Sequence, residues 1–339
     1  AGTLSWAAPY GNRNLIINGA MQVAQRGTSH TLTSNNYGSL DRWNGSGFGG
    51  PTCTMEQSTV APANFKNSLK FTVTTGASVD ATDYSDVRQY IEGNSVSHLK
   101  WGTADAQDVT FSFWVRCSVT GTFAVSICNS AYDRNYAATY VINSADTWEY
   151  KSVTISGDTS GTWLNDNDVG LRLVFDMGVG STYSSTTGQW SSGTYFGGSG
   201  VTKLAATTGA TWYLTGVQLE VGTVATPFEH RSYGDELARC QRYYFQLGKE
   251  GNTEFGWTGG YYSSGECNAA VHFPVAMRAA PSLTSTSGAD YYRWYRNGGY
   301  DDITQLTPNG ASTVHMNLSS DGPRGTSGTA GHVAMLQIR

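Results

Sequence analysis

The chain has 339 residues, long enough for two ordinary domains that each bury a core. Only 14% of residues are charged, while 41 Gly, 20 Tyr, 12 Phe and 10 Trp mark a protein of short strands and many turns. A formal net charge of −5 with no cluster of Lys and Arg excludes a phosphate-tracking nucleic-acid surface, and no apolar run reaches the length of a membrane span.

The five cysteines, Cys53, Cys117, Cys128, Cys240 and Cys267, are odd in number, far apart and without a C-x-x-C pair. They read as free buried thiols, and the N-terminal stretch lacks the basic and apolar blocks of a secretion signal. Both features lead to the expectation of synthesis in a reducing cytoplasm.

Residues 1–13 have no periodicity and read as an N-terminal arm or a loose tail. Residues 14–23, NLIINGAMQV, read as a first strand, and 25–38 as a polar loop leading to Asp41-Arg42-Trp43. Strands follow at 53–60, 68–75, 86–91, 108–117, 122–128, 137–142, 148–156 and 169–176. The clearest is 108–117, where Val109, Phe111, Phe113, Val115 and Cys117 share one face and Thr110, Ser112, Trp114 and Arg116 the other. Residues 178–200 then form a long Gly/Ser/Thr tract carrying Tyr183, Trp190, Tyr195 and Phe196. In the strand at 210–221 the alternation slips, because Trp212 and Leu214 take one parity and Val217, Leu219 and Val221 the other. Gly216 is therefore the expected site of a bulge. About ten half-buried strands of this kind predict a two-sheet sandwich of jelly-roll type.

Residues 231–248 carry the strongest helical pattern. Ser232 followed by Asp235 is a capping-box variant, and Tyr233, Leu237, Cys240, Tyr244 and Leu247 are spaced 4, 3, 4 and 3. A seam this short does not sustain a coiled coil alone, so the helix is expected to lie on a sheet or to gather around a symmetry axis. Beyond it, strands are predicted at 255–262, 266–273, 282–286, 291–296, 313–318 and 333–338, with Asp301-Asp302 and 309–331 in polar loops. The fold class is thus all-β: an arm (1–13), an N-terminal jelly-roll β-sandwich (14–230), a short linking α-helix (231–248) and a smaller C-terminal β-sandwich (249–339).

No catalytic constellation emerges. Residues 45–50, GSGFGG, formally fit G-x-G-x-x-G, but no buried parallel strand precedes them and no helix follows, so they read as a flexible turn. There is no G-x-S-x-G elbow or H-E-x-x-H helix, and the six histidines are scattered. Asp80, Asp83 and Asp86 lie in one turn-rich stretch, and Asp166 and Asp168 in another; such loops either hold calcium or are ordinary solvated turns. Aromatics are the stronger signal. Tyr183, Trp190 and Tyr195, and after the helix Trp257, Tyr261, Tyr262, Tyr292, Trp294 and Tyr295, combine flat apolar faces with polar tips. They suit sugar stacking or subunit contacts, against the alternative of core packing.

The opening N-L-I-x-N-G-x-M-x-V-x-Q-R-G from Asn14, V-Q-L-E-x-G-x-x-x-T-P-F-E from Val217 and E-L-x-x-C-Q-R-Y-Y from Glu236, in this order, resemble a family of bacteriophage and prophage virion proteins labelled tail-fibre or carbohydrate-binding-like. Asp41-Arg42-Trp43 and the strand FSFWVR agree with it; beyond about residue 247 the likeness rests on Phe273-Pro274 with Met277-Arg278 and Pro281. The resemblance implies a virion component made in the host cytoplasm, a homotrimer assembled with other virion proteins, and adsorption to a host cell-surface glycan. A structural head-fibre, decoration or collar protein is the alternative, with a glycan-degrading tailspike behind it. The family's motifs read as structural, so the resemblance carries over no catalytic residue and no enzyme activity is expected; the one candidate cofactor is calcium, read from the residues at Asp80, Asp83 and Asp86. Glycan contacts fall to Tyr183, Trp190, Tyr195, Trp257, Tyr261 and Trp294, and Pro227, Phe228, Glu229, Cys240, Gln241, Arg242 and Tyr243 hold the domain junction.

Overall fold

A computed structural model describes residues 13–33, 35–248, 254–264, 266–285, 288, 291–296, 298–320 and 333–338. The chain divides into two compact units, Ala1–Leu237 and Ala238–Arg339. The expected arm falls outside the described residues except for Arg13, whose guanidinium donates to Pro227 O at 2.6 Å.

In chain order the first unit contains β1 (Ser29–Thr31), β2 (Trp43–Phe48), β3 (Thr52–Ser58), β4 (Ser68–Thr75), β5 (Tyr84–Glu92), the single turn α1 (Gly93–Val96), β6 (Val109–Cys117), β7 (Gly121–Cys128) and β8 (Arg134–Ile142). There follow β9 (Glu149–Ile155), β10 (Val169–Val179), β11 (Ser184–Ser185), β12 (Trp190–Ser192), β13 (Gly197–Gly198) and β14 (Thr211–Val221). Two six-stranded antiparallel sheets result, ordered β1-β3-β4-β14-β6-β9 and β12-β8-β7-β10-β5-β2. They form the jelly-roll sandwich expected of the alternating strands. Phe111, Phe113 and Trp212 of the first sheet meet Phe175 of the second at centroid distances of 5.7, 5.3 and 5.0 Å. Each fully buried aromatic or aliphatic side chain of this layer contributes about 1.5–3 kcal/mol of transfer free energy.

Gly216 carries the bulge. The register of β14 against β6 shifts between Thr215 and Gln218, and Gly216 has φ +60°, where an added Cβ would lie 2.6 Å from the Phe65 ring. β14 pairs with β4 only over its first half, from Thr211 to Leu214.

Beside its second half runs the segment expected to be the first strand, and it is not one. Leu15 N–H donates to Leu219 O and Val217 N–H to Gly19 O, but between these points the backbone leaves extended geometry, with Asn18 at φ 59°. Side chains replace the ladder. Asn14 Nδ2 donates to Val217 O while its Oδ1 accepts from Ile16 and Leu219 N–H. Asn18 Nδ2 donates to Val23 O and Asp41 O, its Oδ1 accepts Val23 N–H, and Trp43 Nε1–H donates to Asn18 O. Gly19 permits the approach, since a Cβ there would sit 2.3 Å from Val217 O. These polar groups explain why an apolar-looking stretch is not a strand: two asparagines satisfy the backbone locally.

Residues 45–48, expected in a flexible turn, are strand, and only Gly49 and Gly50 lie in the bend that follows. Trp43–Phe48 pair in full register with β5, with Gly45 packed against Leu32. The turn between β8 and β9 is closed by Glu149, whose carboxylate accepts the N–H groups of Asn143 and Ser144 and pairs with Lys151 at 2.6 Å.

The helix forms as α2 (Tyr233–Gln241), capped by Ser232 Oγ, which accepts Asp235 N–H at 3.2 Å. It is shorter than the seam requires. Tyr243 and Tyr244 N–H both turn back to Cys240 O, so Tyr244 and Leu247 lie beyond the helix. Leu247 packs against the core of the second unit and Tyr233 is 56% exposed; within the nine-residue helix Glu236 and Cys240 are buried and Leu237 half-buried.

The second unit holds β15 (Glu254–Tyr261), β16 (Cys267–His272), β17 (Tyr292–Arg296), β18 (Gly299–Ile303), β19 (Leu306–Ala311), β20 (His315–Ser320) and β21 (Val333–Ile338). All seven pair antiparallel in one sheet, ordered β18-β17-β21-β15-β16-β20-β19, where the sequence reading expects a small sandwich. Residues 282–285 carry no strand, residue 286 lies outside the described residues, and the strands at β18 and β19 occupy ground read as polar loop. Strand β18 is hidden in the sequence by its acids: Asp301 is buried beneath Tyr261 OH and Arg296, and Asp302 pairs with Arg293.

Asn18→Ala removes the bonds that seal the left-handed turn and is expected to cost about 2–4 kcal/mol, read as a lower urea midpoint with an unchanged slope. Glu149 yields a pH test. Burial alone would raise its carboxyl, but the Lys151 ammonium, Ser144 N–H and both donors of Asn143 outweigh it and hold the group at about 2, below the ordinary 4.5. Its contribution is therefore complete above about 4.5 and lost as pH falls toward about 2. Glu149→Gln is expected to melt below wild type at pH 7, with the gap closing over that interval.

Candidate functional site

The glycine-rich tract after β10 is a strap laid across the outer face of the second sheet. Gly180 and Thr182 N–H bond to Asp83 O and Ala81 O; β11 and β13 pair in parallel; Gly188 N–H reaches Ala137 O; and β12 extends the sheet at β8. Tyr183 stacks on Phe196 at 5.1 Å and meets Tyr84 edge-on at 6.0 Å, while Arg88 lies 5.6 Å over the Phe196 ring. Cys128 Sγ donates to Tyr195 O at 3.4 Å. Tyr183 thus packs the strap to the sheet, and Tyr195 is half-buried within it.

Charges are buried beneath. Asp86 and Asp176 are opposed across β5 and β10, both fully buried. Asp86 is held bidentately by Arg88. Asp176 accepts from Val179 N–H, from Gly198 N–H of the strap and from Lys203 Nζ at 2.9 Å. Burial pushes both carboxyls up, against the pull of Arg88 on one and Lys203 on the other.

Trp190 leaves the strap's company for another. It sits with Trp101 and Trp163, at centroid distances of 5.4 and 5.7 Å, and these two are 4.7 Å apart. All three contacts are near-perpendicular, at 79–81°. Each indole N–H donates to a backbone carbonyl: Trp101 to Gln107 O at 2.7 Å, Trp190 to Ser156 O at 2.9 Å and Trp163 to Ser160 O at 3.2 Å. Behind them Arg134 grips the buried Asp158 with bonds of 2.7 and 2.6 Å and lies 5.8 Å over the Trp190 ring. Gly102 N–H donates to Asp158 O, which ties the Trp101 loop to the Trp163 loop.

Beside the trio opens a cleft of about 350 Å³, lined among others by Trp101, Trp163, Lys100, Thr103, Asp105 and Asn165. Lys100 and Asp105 pair at 3.5 Å and are exposed. An apolar wall with polar groups at its edge, at the small end of the range for ligand clefts, suits a ring with one apolar face and hydroxyls around it. Sequence reading missed Trp101 and Trp163. Their loops carry no periodicity, and only the fold brings residues 101, 163 and 190 together.

Two of the other glycan candidates, Trp294 and Tyr261, are core, whereas Tyr262 is 74% exposed. Trp294 is fully buried, Tyr261 is 2% exposed with its hydroxyl on Asp301, and Trp257 packs partly buried against the same cluster. Burial on a sheet face closes the Trp294 and Tyr261 rings to any ligand. Nor are the three expected calcium ligands gathered. Asp83 accepts Asp80 N–H at 2.8 Å, and Asp86 is spent on Arg88. Among the described residues no group of three His, Cys, Asp or Glu is assembled to hold a metal. The five cysteines are free and buried; burial pushes the thiols of Cys53, Cys128 and Cys267 up to about 12.

No protein-family model matches the chain, and no curated protein matches it in sequence. Among solved structures it is similar to a CBM4 structure (12% identity, TM-score 0.33, covering 60% of this chain and 98% of that one). A putative sugar binding protein from Bacteroides thetaiotaomicron is 13% identical, with a TM-score of 0.33 and coverage of 62% and 100%. The enzymatically active domain of bacteriophage CBA120 tailspike protein 4 is 11% identical, with a TM-score of 0.33; the match covers 62% of this chain and spans 21% of that one. The scores are low, and the fold stands on the strand pairing and shared core described above.

Lys203→Met leaves the Asp176 carboxylate buried without its cation and is expected to cost about 3–5 kcal/mol at pH 7. Because the folded-state value of Asp176 is raised, the native state takes up the proton first and stability is regained as pH falls through that value. Thermal melts of the variant at pH 7 and pH 5 should show the smaller deficit at pH 5.

Proposed function

We propose that this chain is a bacteriophage tail-fibre or spike virion protein that adsorbs to a host cell-surface glycan, with the sugar seated in the Trp101–Trp163 cleft of the first unit. The observation that carries the reading is the cleft itself: the half-buried Trp163 ring, packed on the buried Trp101 and locked like it by a backbone hydrogen bond, with Lys100, Asp105 and Asn165 at hand for hydroxyl groups. Sugar binding of this sort needs flat apolar faces and a few oriented polar groups, and no bond is made or broken. The virion assignment rests on the three ordered motifs at Asn14, Val217 and Glu236. On this reading the chain is made in the host cytoplasm and assembles as a homotrimer with other virion proteins.

Titration of the protein with lipopolysaccharide or capsule oligosaccharides of the host, followed by calorimetry, is expected to give saturable binding. Trp163→Ala should weaken it more than about tenfold, while Tyr150→Ala, on the other sheet, should leave it unchanged. No saturable binding by wild type would favour a structural head-fibre, decoration or collar protein, and release of reducing ends would identify a glycan-degrading enzyme.

A further inference from the structure

We infer that His272 and His315 form a two-histidine chelating site for a divalent transition ion on the outer face of the second unit's sheet, with zinc as the representative ligand. The two residues are directly opposed on β16 and β20. The next pair along is hydrogen-bonded, Phe273 N–H donating to Val314 O at 3.0 Å, so the histidines occupy the non-hydrogen-bonded position. There the Cα atoms of an antiparallel pair approach to about 4.5 Å and their side chains project side by side.

The rings lie 6.2 Å apart, centroid to centroid, at 46°. A zinc ion bound to two imidazoles through bonds of about 2.0–2.1 Å holds the ring centres about 5 Å apart. A rotation of the exposed His272 ring closes the difference.

His315 is already oriented for the task. Its Nδ1 lies 2.9 Å from Ser312 Oγ, and the Ser312 hydroxyl also lies 3.3 Å from His315 O. When Nδ1 carries the ring proton and donates it to Oγ, the lone pair is left on Nε2 for a metal. Metal-bound histidines are positioned by such a bond at the second ring nitrogen. Ser312 Oγ is itself fixed by the N–H groups of Val314 and His315, both at 3.2 Å. Imidazole nitrogens select zinc, copper or nickel over magnesium or calcium, and water completes the coordination. Bound metal would staple β16 to β20 next to the edge strand β19.

The test is a zinc titration of the full chain by calorimetry at pH 7.5, with magnesium as a control ion. One saturable zinc site per chain is expected, with none for magnesium. His272→Ala and His315→Ala should each weaken that site more than about tenfold, and Ser312→Ala should weaken it less. Saturating zinc should also raise the melting temperature of wild type and not of His272→Ala. His272 is exposed, so its replacement leaves the fold intact and decides the matter alone should His315→Ala fail to fold. Absence of a saturable zinc site in wild type, or one that survives His272→Ala unchanged, would overturn the assignment.

Discussion

The first unit depends on one local irregularity, the left-handed glycine that interrupts β14. Before Gly216 the strand is paired by β4 and β6; after it, β6 remains while the β4 side passes to the segment around Leu15 and Gly19. A continuous strand would put Leu214 and Val217 on opposite faces. The bulge returns both to the core, where each is fully buried. It also opens the edge that Asn14 and Gly19 occupy, so the segment around residues 14–19 is joined to the second half of the first unit's last strand. Glu236 of α2 reaches the same place, accepting Asn18 N–H at 2.6 Å.

A second consequence concerns the outer face of the other sheet. A sandwich needs only its inner faces to be apolar, and β5 and β10 place Asp86, Arg88, Arg172 and Asp176 outside. The strap then covers Asp86, Arg88 and Asp176, while Arg172 stays half-buried against the turn at 129–132. Desolvating such ions is unfavourable unless each has a partner, and the partners are present: Arg88 on Asp86, Lys203 on Asp176, and the Tyr132 ring 3.9 Å beneath Arg172. The strap therefore lies over paired charges, and Asp176 links the sheet to it through Gly198 N–H.

Alternation was legible wherever one strand face is apolar and the other polar, as in β4, β6, β7 and β14, and even the slip at Gly216 could be read. It failed where backbone hydrogen bonds are met by side chains, as at Asn14 and Asn18, and where a strand carries acids inward, as at Asp301. Single-residue reasoning about rings failed for the same kind of cause. Trp294 and Trp190 are chemically alike in the sequence, but Trp294 sits on the buried face of a central sheet and Trp190 on a three-residue edge strand. Pairing across sheets decides which ring is available, and one chain read alone does not contain that pairing.

The tryptophan trio makes sense as a consequence of where its members are anchored. An edge strand and two loops have few neighbours to hold large side chains, and free indoles there would sample many rotamers at an entropic cost to any ligand. Each indole instead uses its one polar atom on a backbone carbonyl, and the perpendicular packing fixes the rings against one another. Arg134 and Asp158 complete the support by joining β8 to the loop that precedes Trp163. The polar capacity of the rings is thus used internally, and Trp163, backed by the buried Trp101, presents to the cleft a ring already held in place. On the proposed reading such a cleft would take the apolar face of a ring, with Ser97, Lys100, Thr103, Asp105 and Asn165 supplying the polar groups around it.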